Sequence, residues 1–116
     1  MTYTLPFIPP SNNRFIGRKN VHEYQRIKKQ WAELIALRCR PRPEKPLRNV
    51  TVRIIYYFPD HIRRDPDNYS GKMLLDGLVR SGIIEDDSFS CIRLELIGDY
   101  DKQNPRTVIQ IDKKGD

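Results

Sequence analysis

Asn49-Val50-Thr51-Val52-Arg53-Ile54-Ile55-Tyr56-Tyr57-Phe58 is the stretch on which the fold turns. β-Branched and aromatic residues fill it, and alternate positions separate into two faces. Val50, Val52, Ile54, Tyr56 and Phe58 share one, with Thr51, Arg53, Ile55 and Tyr57 on the other. From Ile54 onward both faces are largely apolar, which predicts a central strand whose end is covered on both sides. Pro59 stops it, because proline has no amide to give to a ladder. Just beyond comes Arg63-Arg64-Asp65-Pro66-Asp67-Asn68, two carboxylates and an amide behind two arginines. That is the carboxyl-end position where open α/β sheets tend to hold ligands.

Downstream, Asp67 or Asn68 is placed to cap a helix over 69–81, in which Leu74, Leu75 and Leu78 form the buried stripe. Lys72, Asp76 and Arg80 fall on one face of it at steps of four. Gly82 supplies the stop. After Ile83-Ile84 a second acidic group, Glu85-Asp86-Asp87, forms a turn. Residues 91–97 then read as a strand with Ile92, Leu94 and Leu96 inward, residues 98–105 as a turn region, and residues 106–112 as a last strand built on Thr107, Ile109 and Ile111. A simple antiparallel return between the two strands would bring both acidic groups to one end of the sheet.

Upstream, residues 2–7 read as an opening strand stopped by Pro9-Pro10, followed by the polar turn Ser11-Asn12-Asn13-Arg14 and a basic loop over 15–19. Asn20 and Glu23 have the spacing of a capping box, in which the Asn20 side chain accepts from the Glu23 amide. The helix they open, running to about Arg40, carries Tyr24, Ile27, Trp31, Leu34 and Ile35 on one stripe. Trp31 is therefore read as packing rather than as a base-stacking platform. Pro41, Pro43 and Pro46 impose an extended connection within the domain. The fold expected is α+β: one small domain over 1–116, a mixed sheet of about four strands and two main helices.

Charge is unevenly spread. The chain carries 21 Lys plus Arg against 15 Asp plus Glu. Residues 1–64 hold fourteen basic and four acidic residues, and residues 65–116 hold seven basic and eleven acidic. A basic half joined to an acidic pocket suits a protein that attracts a polyanion and holds a metal at one point on it. Cys39 and Cys91 lack metal-ligand spacing and read as free thiols of a reducing compartment. Neither a signal peptide nor the ~20 apolar residues of a membrane span is apparent, so a cytoplasmic protein with no membrane partner is expected.

The acidic groups carry the chemistry. Asp65 and Asp67, two apart in a proline-stiffened turn, can face one ion, and one of Asp86 and Asp87 can join them. Hard oxygen ligands select Mg²⁺, Mn²⁺ or Ca²⁺. A divalent ion so held polarises a phosphate oxygen and activates water, with Lys72 beside it for developing charge. Asp-Pro-Asp-Asn is also a good turn and cap sequence, so each acidic group taken alone has an ordinary structural explanation. A calcium loop starting at Asp65 fails where Tyr69 and Ser70 replace a ligand and the turn glycine. There is no nucleophile elbow, and no glycine-rich phosphate loop for a nucleotide cofactor.

Taken in order, these residues resemble the RusA-type Holliday junction resolvases of bacteria and their phages. The likeness spans nearly the whole chain: Pro9-Pro10-Ser11-Asn12-Asn13-Arg14, then Arg63 to Asn68, then Lys72-Met73-Leu74-Leu75-Asp76-Gly77-Leu78, then Gly82, two apolar residues and Glu85-Asp86-Asp87-Ser88. The resemblance implies a RusA-like fold and a Mg²⁺-dependent endonuclease, Mn²⁺ being an alternative ion, that acts as a homodimer on four-way junction DNA by paired symmetric nicks. It also implies Asp65, Asp67 and Asp87 as metal-binding catalytic carboxylates, Asp86 as their neighbour, and Lys72 as the catalytic lysine. Three residues, Tyr69-Ser70-Gly71, separate Asn68 from Lys72 where the family pattern has two. The extra one is expected to be absorbed before the helix, at Gly71. Asn13, Arg14, Arg18, Lys19, Arg63 and Arg64 are the expected DNA contacts. The competing readings are a non-catalytic basic DNA-binding module, and a nuclease of flaps, forks or duplex.

Overall fold

The alternation over 50–58 does become the central strand. In the computed structural model, which describes residues 1–15 and 20–113, six elements follow in order: β1 (Thr2–Leu5), α1 (Val21–Arg38), β2 (Val50–Phe58), α2 (Lys72–Arg80), β3 (Ile92–Tyr100) and β4 (Arg106–Lys113). Short 3-10 turns occupy Asn12–Phe15 and Pro66–Tyr69. The sheet order is β1-β4-β2-β3, with β4 antiparallel to both its neighbours and β3 parallel to β2. This is the α+β architecture with a four-stranded mixed sheet and two helices.

The parallel pairing corrects the antiparallel return expected between β2 and β3. Val50 pairs with Ile92 and Phe58 with Tyr100 along the whole strand. Parallel neighbours need a crossover, and α2 supplies it. Asp65 therefore follows the end of β2, while Asp87 precedes the start of β3.

One face of the sheet carries the core. Tyr3 and Leu5 of β1, Ile109 and Ile111 of β4, Val52, Ile54 and Tyr56 of β2 and Ile92 of β3 are buried with Ile27, Trp31 and Ile35 of α1 and Leu74, Leu75 and Leu78 of α2. Trp31 is thus a packing residue. The helices approach closely at Gly77, where an added Cβ would lie 2.5 Å from Ile35 Cδ1. Lys28 and Asp76 close the same interface with an ion pair at 3.2 Å, so Asp76 is matched across the helices. Among the described residues no helix covers the other face. Ile55 and Val108 are nevertheless buried there, beside Arg53 bonded to Glu95 and Gln110, and Arg106 lying 3.9 Å over the Tyr57 ring. Long polar side chains with apolar stems give that cover.

Several boundaries move for identifiable reasons. β1 ends at Leu5. β3 continues to Tyr100, through residues read as turn, because β2 offers a pairing partner as far as Phe58. Leu94, expected inward, is 38% exposed, since β3 is an edge strand. Asn20 does occupy the N-cap of α1, but makes no side-chain cap bond there; Glu23 pairs instead with Arg14. Neither Asp67 nor Asn68 caps α2. The helix starts at Lys72 with Gly71 at its N-cap, because Pro66–Tyr69 close a separate 3-10 turn first. Its other end follows the expectation: Gly82, at φ +74°, donates to the Val79 carbonyl at 3.0 Å, and Ile83 to that of Leu78 at 2.9 Å. Those two bonds make a Schellman stop.

Candidate active site

Pro59 ends β2 and the chain must then turn back over the sheet before α2 begins. Asp60 organises the first part of that loop. Its carboxylate accepts from Arg64 at 2.7 Å and from the Ile62 amide at 3.0 Å, and these bonds hold its pKa below the usual carboxylate value, the Arg64 bond first. The Arg64 guanidinium also donates to the Ile62 carbonyl at 3.0 Å and lies 4.4 Å over the Phe58 ring. Hydrogen bonding to Asp60 raises its own pKa, with a smaller contribution from Tyr69. Arg64 thus fixes the loop against the end of β2.

Asp65 caps the Pro66–Tyr69 turn through its backbone, accepting from the Asn68 amide at 3.0 Å. Proline at the first position of the turn fits, since no donor is needed there. The Asp65 side chain is left half-exposed and pairs with the exposed Arg63 at 3.2 Å. Asp67, exposed, lies within the turn. What holds the turn in place is Asn12, whose side-chain amide donates to the Asp67 carbonyl at 3.0 Å and to Ser70 Oγ at 3.1 Å. Sequence reading saw Asn12 only as part of a polar turn. An amide in a loop gives no sign of a partner 55 residues away.

Gly71 then takes the left-handed conformation, φ +80°, with the position of an added Cβ 2.6 Å from Ile54 Cδ1. Only glycine fits so close to the sheet at that angle. Lys72 opens α2 directly after Gly71 and is exposed to solvent. A narrow cleft bounded by Pro9, Pro10, Asn12, Asn68, Ser70 and Lys72 brings the lysine to the flank of the acidic turn.

The second acidic group is fixed separately. Leu47 donates to the Ile83 carbonyl and accepts from the Glu85 amide, each at 2.9 Å, and Glu85 pairs with Arg48 at 3.4 Å. Asp86 and Asp87 are exposed. Asp87 borders a surface depression with Leu75, Ser88, Phe89, Ile92 and Leu94, while Asp65 borders one with Tyr56, Phe58, Tyr69, Leu96 and Gly98. The two acidic groups thus lie against successive stretches of one strand, β3. Among the described residues, no three His, Cys, Asp or Glu side chains stand close enough together to hold a metal.

Of the expected DNA contacts, Asn13 and Arg14 are exposed on the Asn12–Phe15 turn, Asn13 donating its amide to Ser11 Oγ and Arg14 pairing with Glu23. Arg18 and Lys19 lie outside the described residues.

Residues 6–112 of the 116 match the model of the family described as endodeoxyribonuclease RusA. The chain belongs to the RusA endodeoxyribonuclease family. Membership makes it an enzyme of DNA phosphodiester cleavage, of a family that acts on junction DNA. The match takes in the Asn12–Phe15 turn, the Asp65–Asn68 turn, Lys72 and the Glu85–Asp87 turn, so each element of the site lies within the family's extent. No individual curated protein matches the chain. No helix among the described residues is long and apolar enough to cross a membrane.

Proposed function

We propose that the protein is a Mg²⁺-dependent resolvase that acts as a homodimer on four-way DNA junctions, nicking two opposed strands symmetrically. The observation that carries this reading is the pairing of Asp65 and Asp67 in one exposed turn, anchored by Asn12 and flanked by Lys72, in a chain of this nuclease family. Two carboxylates suffice for the ion in question. Mg²⁺ dehydrates reluctantly and is commonly held by one or two carboxylates plus substrate phosphate rather than by an all-protein cage. The donor set is all oxygen, which suits Mg²⁺, with Mn²⁺ as the alternative.

In this reading Asp65 and Asp67 hold the ion, while Asp87 and its neighbour Asp86, the further carboxylates that the family likeness implies, stand at the other end of the β2–β3 pair. When bound, the metal polarises the scissile phosphate and lowers the pKa of an attacking water. Were Asp65 to hold the ion, Arg63, its present partner, would be left as an exposed guanidinium for a neighbouring phosphate. Lys72 stabilises charge developing on the phosphoryl oxygens. Asn12 keeps the Asp67 backbone from moving as the charges rearrange. Arg63, with Asn13, Arg14, Arg18 and Lys19 of the basic half, contacts the DNA backbone, and Arg64 braces the loop that presents them. A C₂ dimer matches the approximate two-fold symmetry of a junction and supplies two sites.

The test is incubation of purified protein with a synthetic four-way junction, in Mg²⁺ or in EDTA. Paired nicks at symmetric positions that require the metal are expected. Junction binding without any product in Mg²⁺ or Mn²⁺ would leave a non-catalytic DNA-binding module. Equal cutting of flaps, forks or plain duplex would remove the junction from the account.

A further inference from the structure

Phe7 is 60% exposed, only two residues beyond the fully buried Leu5. The chain beneath it is firmly held. Its backbone carbonyl accepts from the hydroxyl of Thr107 at 2.7 Å, and Thr107 is itself wholly buried in β4. Pro6, Pro9 and Pro10 fix the backbone φ on both sides. Ile8 packs against the core, so the segment is anchored from within while Phe7 faces solvent. A single exposed apolar residue needs no explanation in itself; the surroundings of this one supply it.

Phe7 lies on the linings of two open grooves of similar volume, about 400 and 370 Å³, and with Ile8 forms the ridge between them. One groove follows α1 past Ile27, Trp31 and Leu34 and carries Arg14; the other passes Phe58 and Pro59 and carries Arg64. Among the described residues, arginine is the one charged side chain on each lining. The carboxylates that pair with them, Glu23 and Asp60, lie outside the grooves. Such linings suit phosphate and disfavour a cation. Both grooves also lead to the candidate active site. Arg14 shares its 3-10 turn with Asn12, which holds the Asp67 carbonyl. Phe58, Arg64 and Tyr69 are common to the second groove and to the depression that Asp65 borders.

We propose that Phe7 is a wedge for branched DNA. Its ring stacks on the base exposed at the branch point, and the two strands that part there pass along the grooves on either side, their phosphates meeting Arg14 and Arg64. DNA as the occupant follows from the family, and the inference rests on the resolvase reading for the four-way junction as its form. A branch point offers a base with an open face, whereas continuous duplex offers only closed stacks, so the ring favours the branched substrate. Apolar side chains inserted at base steps unstack them at a cost, and that cost is least where the stack is already interrupted. Phe7 touches bases and not the reacting phosphate, which makes it a residue of substrate selection.

The test reads binding in EDTA, so that it does not depend on cleavage. Wild type, Phe7→Ala and Phe7→Trp are titrated by fluorescence anisotropy against a synthetic four-way junction and against a continuous duplex of the same arm sequence. Phe7→Ala should bind the junction roughly five- to thirtyfold more weakly, the size of one lost base stack, and bind the duplex within about twofold of wild type. Phe7→Trp, which keeps a flat ring, should retain the junction preference. Sedimentation should give all three the same oligomeric state. Junction affinity unmoved in Phe7→Ala, an equal loss on duplex, or a loss that Phe7→Trp shares overturns the wedge. So does a change of oligomeric state in Phe7→Ala, which would make the ring a contact between copies of the chain. Mg²⁺-dependent junction cleavage by wild type leaves the resolvase reading standing in each of those cases. A Phe7-dependent junction preference in a protein that cuts no junction in Mg²⁺ or Mn²⁺ would instead overturn that reading and leave the wedge.

Discussion

The side-chain amide of Asn12 donates to the backbone carbonyl of Asp67 across 3.0 Å, and a second bond from the same amide reaches Ser70 Oγ. It ties the N-terminal turn to the turn that carries both proposed metal carboxylates, and to the residue just before Gly71 and Lys72. Asn12→Ala should cost about 1 kcal/mol of stability. It should raise the Mg²⁺ concentration for half-maximal cleavage severalfold while leaving junction affinity in EDTA nearly unchanged. A Mg²⁺ titration of single-turnover rates checks this. An unshifted midpoint would reduce Asn12 to a fold contact.

Gly71 and Gly82 separate strain from crowding. Both have positive φ, but a Cβ at Gly71 would lie 2.6 Å from Ile54 Cδ1, whereas nothing lies within 4 Å at Gly82. Gly82→Ala should lose about 1 kcal/mol, the cost of the left-handed backbone. Gly71→Ala adds overpacking against the sheet and should lose roughly 2–4 kcal/mol. Urea melts of the two variants measure the difference directly. Equal losses would mean that the start of α2 yields freely and that Lys72 is not firmly placed.

Acid should act on the loop that presents the site. The Asp60 pKa is lowered, chiefly by its bond from Arg64, so the folded loop binds a proton less readily than the unfolded chain does. Its contribution to stability is complete above the usual carboxylate range, and fades as pH falls through the depressed value. The NMR signal of the Asp60 side-chain carboxyl carbon should show its titration step only below the usual carboxylate range. In Asp60→Asn that acid transition should vanish. A carboxyl titration step for Asp60 at or above the usual carboxylate range would contradict the assignment.

The basic half predicts a steep salt dependence. Each phosphate neutralised releases counterions, so log affinity should fall linearly with log salt. Arg63→Ala should reduce the slope by about one contact, because its guanidinium is exposed and, among the described residues, pairs with Asp65. Arg64→Ala should also disturb the loop, since Arg64 is bonded to Asp60 and lies over Phe58. Fluorescence anisotropy over a salt series distinguishes the two.

What could be read from the sequence divides along physical lines. Local patterns were legible: the alternation from Val50 to Phe58, the stripe of Ile27, Trp31 and Ile35, the Gly82 stop. Each depends on residues near in sequence. The direction of β3 was not, because nothing in Cys91 to Ile97 states whether a partner runs parallel or antiparallel. That error carried the two acidic groups to one end of the sheet. The long loop back to Gly71 instead sets them along one edge strand. The carboxylates and Lys72 stood out as chemistry, whereas Asn12 and Asp60 did not, because their meaning lies in partners that only the fold reveals. The capping box failed for a similar reason, since Arg14 meets Glu23 from outside the helix.

The most direct measurement is single-turnover cleavage of a synthetic four-way junction by saturating Asp67→Asn protein in Mg²⁺, beside wild type, with junction affinity measured in the same buffer. The account predicts affinity within a few-fold of wild type and a cleavage rate reduced by at least about a thousandfold, more than 4 kcal/mol of transition-state stabilisation. Cleavage by Asp67→Asn at the wild-type rate would contradict it and take Asp67 out of the site.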